Sequence, residues 1–231
     1  ANPIVFSDGT RSTTIDQFTS SVNVPAVVTE LASLGFEYAV VTDFHGYQTT
    51  LHPCAALDSW RGPGFTSTRD LVGELIAGLK ARGIRVYLFT HPLDGYDGYT
   101  PEQQALVGWF DPTGNYKRWN DFINDVYAEM AERYGDDIAG FGFDSDFGMI
   151  DPVTFGKLDL KRLRSTILSR RPELSLTALA GPNDTAELGM KEVWRPSWLD
   201  PWGSRSDTDY NLETWPAYRR VVAIVQGYHW T

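Results

Sequence analysis

Residues 138–146 read Ile-Ala-Gly-Phe-Gly-Phe-Asp-Ser-Asp, an apolar strand that ends in two carboxylates. Side chains alternate along a strand, so Gly142, Asp144 and Asp146 share one face and Phe141 and Phe143 the other. Two acids pointing the same way can divide the work of glycoside cleavage, one attacking the anomeric carbon or activating water, the other protonating the leaving oxygen. Carboxyls two residues apart on one face are separated by roughly the 5 to 6 Å of a retaining pair. In parallel α/β sheets and barrels, the carboxyl ends of strands are where ligands bind. The alternative role for either acid is to cap the next segment or to pair with a buried arginine.

Other strand ends carry polar groups as well. Asp43-Phe44-His45 closes one apolar run, His91 another and Asn183-Asp184 a third, while His52 follows in the loop after the first and His229 lies near the C-terminus. Such convergence describes a polar pocket, in which Asp43, His45, Tyr47, His52 and His91 are expected to contact substrate. Tryptophan occurs eight times, and Trp60, Trp194, Trp198, Trp202 and Trp215 lie in stretches that read as loops. Aromatics set among Gly, Pro, Ser and Asp can wall the apolar face of a sugar ring, which makes Trp60, Trp198 and Trp202 substrate-binding candidates. A small core beneath a long loop is the other use for any one of them.

Several chemistries can use this rim. A divalent metal held by histidines and acids could activate water, but no His-x-His, His-x-x-x-His or His-Glu-x-x-His spacing occurs, so neither metal nor cofactor is expected. Glycoside cleavage uses the paired carboxylates, the histidines and the tryptophans together. A polysaccharide lyase needs a base, a proton donor and a cation to neutralise a uronate, for which His45, His91, Tyr47 and Arg61 would serve. A non-catalytic carbohydrate-binding barrel would keep the aromatic wall and the histidines without using Asp144.

Composition narrows the classes. The formal net charge of −10 repels nucleic acid and anionic membrane surfaces, so neither is an expected partner; the glycoside reading of the rim makes an oligosaccharide or polysaccharide the expected one. No apolar run approaches the roughly 20 residues of a membrane helix. The single cysteine, Cys54, rules out internal disulfides and cysteine-based zinc sites. A start of Ala-Asn-Pro reads as a processed or trimmed end, and a secreted or periplasmic location is expected. The oligomeric state is not readable from these features.

The elements that must position the acids follow from periodicity. Apolar residues at 24, 27, 28, 31 and 34 predict a helix before the strand Tyr38–Thr42; Ser67 to Gly83 predicts a helix before Ile84–Thr90. Tyr116 to Tyr134 precedes the strand Ile138–Phe143, and Leu158 to Arg170 precedes Leu174–Leu179. Repeated helix-to-strand units predict a parallel sheet, with Pro3–Phe6 as a first strand. Glu192–Trp198 could add a strand, and Pro216 to Gln226 reads equally as helix or strand. At 231 residues the chain suits one α/β barrel domain, a size class of about 200 to 250 residues.

Longer motifs carry a resemblance to a known family. Gly35-Phe-Glu-Tyr-Ala-Val-Val-Thr-Asp-Phe-His45-Gly-Tyr resembles the family-29 α-L-fucosidase strand that ends Thr-Lys-His-His-Asp-Gly-Phe. Asp58-Ser-Trp60, Thr68-Arg-Asp-Leu-Val-Gly-Glu-Leu75 and Ala81-Arg-Gly-Ile-Arg-Val-Tyr-Leu88 are similar to that family's Arg-Asp-Val-Val-Gly-Glu helix and next strand. Tyr134-Gly-Asp-Asp-Ile-Ala-Gly-Phe-Gly-Phe-Asp144 resembles its Tyr-Gly-Pro-Ile-Asp-Gly-Leu-Trp-Phe-Asp-Gly motif. The order and spacing agree over about residues 25 to 180.

The resemblance implies a (β/α)8-like (TIM) barrel, here short or irregular on its C-terminal side, because a full set of eight strands is not visible. It implies a retaining exo-glycosidase acting on an α-L-fucoside or a related deoxysugar glycoside, with Asp144 as nucleophile, His45 binding sugar and His91 lining the pocket. The match does not place the general acid. Candidates are Glu187, Glu192 and Glu213, the last favoured beside Trp215, with Asp146 as the other choice. Three departures stand out: Ser7-Asp8-Gly9 where the family has His-Trp-Gly, Phe44 where it has the first of two histidines, and Ser145 where it has Gly. Phe143-Asp-Ser-Asp146-Phe-Gly148 also resembles the strand end of family-18 chitinases, but Gly148 replaces their catalytic Glu.

Overall fold

Helix starts are marked by side chains that accept first-turn N–H groups. A computed structural model describes residues 12–93, 99–144, 157–178, 188–193 and 221–225. Within it Thr14, Asn23, Asp70, Thr100 and Asp159 cap α1 (Ile15–Ser21), α2 (Val24–Ser33), α4 (Leu71–Lys80), α5 (Pro101–Val107) and α7 (Leu160–Leu168). Two helices start differently. Neither Cys54 before α3 (Ala55–Arg61) nor Tyr116 before α6 (Lys117–Tyr134) gives a side-chain cap, and at α3 Glu129 of α6 instead accepts the Ala55 and Ala56 N–H groups at 3.0 and 2.7 Å.

The strands are β1 (Tyr38–Thr42), β2 (Arg85–Thr90), β3 (Gly140–Phe143), β4 (Ser175–Ala178), β5 (Leu188–Val193) and β6 (Val221–Val225). They form a parallel sheet in the order β1-β2-β3-β4-β5-β6. Among the described strands that order never reverses, so they contain no switch point of the doubly wound kind, and right-handed crossovers put the described connecting helices on one face. The expected strand Pro3–Phe6 lies outside the described residues.

The helix-to-strand units expected from periodicity are present, each within a few residues of its predicted bounds. The strand expected over Glu192–Trp198 overlaps the fifth strand, which runs Leu188–Val193, at Glu192 and Val193; residues 194–198 lie outside the described residues. The ambiguous run near the C-terminus is a strand, Val221–Val225, where β-branched residues pair with β5 from Gly189↔Val221 to Val193↔Val225. Helices α1, α3 and α5 lie in stretches where periodicity predicts none.

The core lies between the sheet and α6. Trp119, Phe122, Ile123, Val126, Tyr127, Met130, Ala131 and Tyr134 form a buried stripe at helical spacing. Tyr127 packs against Phe141 and Phe143 at 5.8 Å each, and its hydroxyl bonds the Thr90 hydroxyl at 2.7 Å. Phe141, Phe143 and Thr90 therefore face the helices. Alternation turns Phe89, His91, Gly142 and Asp144 to the opposite face, as the sequence predicts for Gly142 and Asp144.

Strand β3 needs glycine at its start. A Cβ on Gly140 would collide with the Ser175 carbonyl of β4, so a side chain there must push the two strands apart. Gly140→Ala is expected to lower stability by about 1–3 kcal/mol, the usual range for overpacking. Urea unfolding measures it, and a midpoint equal to that of the unsubstituted protein would show that β3 and β4 tolerate the separation.

Candidate functional site

Backbone hydrogen bonds continue the sheet past the strand ends and set the site. Asp43 N–H donates to the Phe89 carbonyl at 2.9 Å, His91 N–H to the Phe44 carbonyl at 3.0 Å and Asp144 N–H to the Thr90 carbonyl at 2.7 Å. The β1–β2 register pairs Thr42 with Phe89, and the β2–β3 register pairs Thr90 with Phe143. Carried forward, it brings Phe44, His91 and Asp144 level at the carboxyl end.

Simple alternation would then misdirect His45. Asp43 sits beside His52, whose ring meets Tyr134 of α6 at 5.2 Å, so residue 43 faces the helices. The next side chain should face away from them and the one after should face them again. The reverse occurs, because Phe44 has φ 46°. Its ring enters the helix-side core, edge-on to Phe122 at 6.2 Å and Tyr127 at 5.9 Å, and His45 is delivered to the other side. A bulky residue in the left-handed region costs roughly 1–2 kcal/mol, and burying its phenyl ring returns about 2–3 kcal/mol. The fully buried ring thus holds the turn that aims His45.

His45 Nε2 lies 2.6 Å from Asp144 Oδ2. The two side chains remain 19% and 23% exposed, which leaves them accessible to a ligand. The His45 ring also lies against Phe89, at 5.5 Å, and edge-on to His91, at 5.4 Å. His91 is buried, and its Nδ1 accepts the Leu93 N–H at 3.1 Å, so the neutral ring carries its proton on Nε2. Burial lowers the His91 pKa to about 4; the Asp144 carboxylate opposes that shift and His45 adds to it. His91 is therefore a neutral polar wall beside the His45–Asp144 pair at neutral pH. Among the described residues, no group of three or more His, Cys, Asp or Glu side chains is arranged to hold a metal ion.

The remaining candidates are placed elsewhere or lie outside the described residues. Asp43 and His52 are both interior, with no side-chain exposure; Oδ2 and Nδ1 are 2.9 Å apart but not aligned for a hydrogen bond. Asp43 Oδ1 accepts the Leu51 N–H at 2.7 Å, so the pair braces the loop after β1 from inside. Tyr47 is half-buried, and its carbonyl accepts from Arg61. Trp60 was read as a loop residue but lies on α3, where its Nε1–H donates to Asp125 at 2.9 Å and its ring meets Phe122 at 5.8 Å. The Leu57-to-Trp60 spacing is the helical signal in this stretch. Asp146, Glu187, Trp198, Trp202 and Glu213 fall outside the described residues, and Glu192 lies within β5.

Sequence reasoning missed Gln48. It is fully buried with φ 50°, and it bonds both His91 and Tyr99. A polar residue in a Gly-Tyr-Gln-Thr-Thr loop gives no sign of this.

No protein-family profile matches the chain, and no curated protein matches it in sequence. Solved structures do resemble it. An α-L-fucosidase of glycoside hydrolase family 29 from Bacteroides thetaiotaomicron is 15% identical with a TM-score of 0.52, the match covering 78% of this chain and 42% of that one. The α-L-fucosidase isoenzyme 1 from Paenibacillus thiaminolyticus is 18% identical with a TM-score of 0.54, covering 76% and 44%. An endo-fucoidan hydrolase of glycoside hydrolase family 107 is 18% identical with a TM-score of 0.54, covering 75% and 50%. The chain spans half or less of the length of these proteins. The likeness shows a fucosidase-like α/β fold.

The buried His91 sets a pH dependence. An unfolded histidine titrates near 6.5, whereas His91 in the fold holds off its proton to about 4. Between those values the unfolded chain binds the extra proton, so this group's effect is to lower stability as pH falls from about 6.5 to about 4, by roughly 3 kcal/mol in total. His91→Gln is expected to flatten that slope in urea unfolding measured at pH 7, 5.5 and 4.5. An identical slope in the variant would show that His91 is not the group responsible.

Proposed function

We propose that the chain is the catalytic barrel of a retaining exo-glycosidase that cleaves an α-L-fucoside or a related deoxysugar glycoside. The observation that carries this reading is Asp144, at the carboxyl end of a central parallel strand, held by His45 at 2.6 Å in a fucosidase-like fold. The unreversed strand order supports closure of the sheet into a barrel, with its helices outside. The sequence motifs around Asp144 and His45 point to the same family.

In this reading His45 donates to one Asp144 oxygen and leaves the other for attack. A new bond forms between that oxygen and the anomeric carbon while the glycosidic bond breaks, and a general acid gives its proton to the departing oxygen. Glu213 is our choice for that acid, with Asp146 as the alternative. Water then hydrolyses the glycosyl ester and the acid regains a proton. His91, with its proton on Nε2, can donate to a sugar hydroxyl. A polysaccharide substrate suits a secreted or periplasmic protein.

The same 2.6 Å contact supports one second reading. A carboxylate on a histidine can orient the ring as a base, and with Tyr47 as proton donor the pair would serve a polysaccharide lyase. The products separate the two readings, because a lyase yields an unsaturated sugar that absorbs in the ultraviolet and a hydrolase yields new reducing ends.

Asp144→Gly is expected to reduce cleavage of an aryl α-L-fucoside by about a thousandfold or more, and azide is expected to restore part of the lost rate by attacking in place of the carboxylate. Full activity in this variant would end the nucleophile assignment. An unsaturated product formed by the unsubstituted protein from a uronate polymer would favour the lyase.

A further inference from the structure

Gln48 takes no direct part in the chemistry proposed above, yet both ends of its side-chain amide are bonded behind the site. Its Nε2 donates to the His91 carbonyl at 2.9 Å, and its Oε1 accepts the Tyr99 hydroxyl at 2.6 Å. The His91 N–H, on the other side of the same residue, donates to the Phe44 carbonyl. Both backbone groups of His91 are thus bonded to the loop that carries His45, one at each end of the segment 44–48.

That segment is held from outside as well. Arg61 Nη1 donates to the carbonyls of Tyr47 and Gln48 at 2.7 and 3.0 Å. Its guanidinium lies between two rings, 3.6 Å from the centroid of Phe65 and 4.0 Å from that of Tyr99. Arg61 is buried, and among the described residues no carboxylate pairs with it, so the rings and carbonyls are what hold the cation. Left to itself a non-glycine residue avoids the backbone conformation of Gln48, and this cluster is what maintains it.

From this geometry we propose that Gln48 is a positioning residue: it locks His91 and the His45 loop into one frame, so that His45 meets Asp144 and His91 stands against His45 in a fixed arrangement, with Tyr99 and Arg61 holding Gln48 in place. Its link to catalysis rests on the glycosidase reading of Asp144. The bonding frame itself does not.

The test uses the full chain. Gln48→Met keeps the length of the side chain and deletes both hydrogen-bonding groups. In 15N-labelled protein, the His91 ring nitrogens are read by two-bond proton–nitrogen correlation. In the unsubstituted protein Nδ1 is expected at an acceptor shift and Nε2 at a protonated one. In Gln48→Met the two shifts are expected to converge as tautomers mix, and the His91 midpoint to rise by about one unit as water reaches the ring. On the aryl α-L-fucoside, kcat is expected to fall about tenfold with KM changed less than about twofold, because alignment is lost and direct contact is not. A folded Gln48→Met with His91 shifts and midpoint unchanged would overturn the proposal, whatever its activity. If that variant does not fold, Tyr99→Phe removes only the hydroxyl bonded to Oε1. An unchanged His91 spectrum there overturns the proposal equally. Absence of fucoside turnover in the unsubstituted protein would defeat the glycosidase reading and leave the spectral test in force.

Discussion

The reversal of side-chain direction at Phe44 is the constraint on which the site depends. A regular strand would place His45 under α6 and a phenyl ring in the ligand space. One left-handed residue exchanges them, and the exchange persists because the ring fits between Phe122 and Tyr127. The packing core and the candidate site are therefore set by the same few atoms. The aromatic stripe of α6 grips Phe44, the turn follows, and His45 arrives 2.6 Å from Asp144.

Asp43 and His45, two residues apart, each belong to a histidine–aspartate pair, and the two pairs differ in surroundings rather than in residue type. Asp43 and His52 have no exposed side-chain surface and are boxed in by the Leu51 N–H and the Tyr134 ring. Removing either partner would leave a polar or charged group buried without a counterpart, at a cost of several kcal/mol. His45 and Asp144 keep about a fifth of their surface open. The first pair can only brace the loop, while the second can exchange partners with a ligand. Residue type alone does not separate them.

Much of the architecture was legible in the sequence because it is written in local patterns. Apolar spacing in 117–134 and the β-rich run Tyr38–Thr42 located their elements closely, since periodicity and burial agree there. Asp144 and His45 were found from their places at strand ends, and Gly142 and Asp144 do lie opposite Phe141 and Phe143. Legibility stopped where long-range contacts decide. Nothing near Asp43 or His52 announces that each buries the other, and Trp60 sits among polar residues although its ring packs on Phe122. The bonds from Gln48 to His91 and to Tyr99 cross 43 and 51 positions, beyond any short-range pattern.

The direction of Phe44 also limits how this pocket can be changed. The fucosidase motif that this stretch resembles carries a histidine at this place, and Phe44→His looks like a simple way to add a polar group to the pocket. The backbone would instead deliver the imidazole beneath α6, among Phe122 and Tyr127, as a polar ring in an apolar slot. Residue 44 thus belongs to the scaffold, and a single codon change there cannot return it to the ligand side. New specificity must be grafted onto the other strand ends, or the turn must be rebuilt together with the core that holds it.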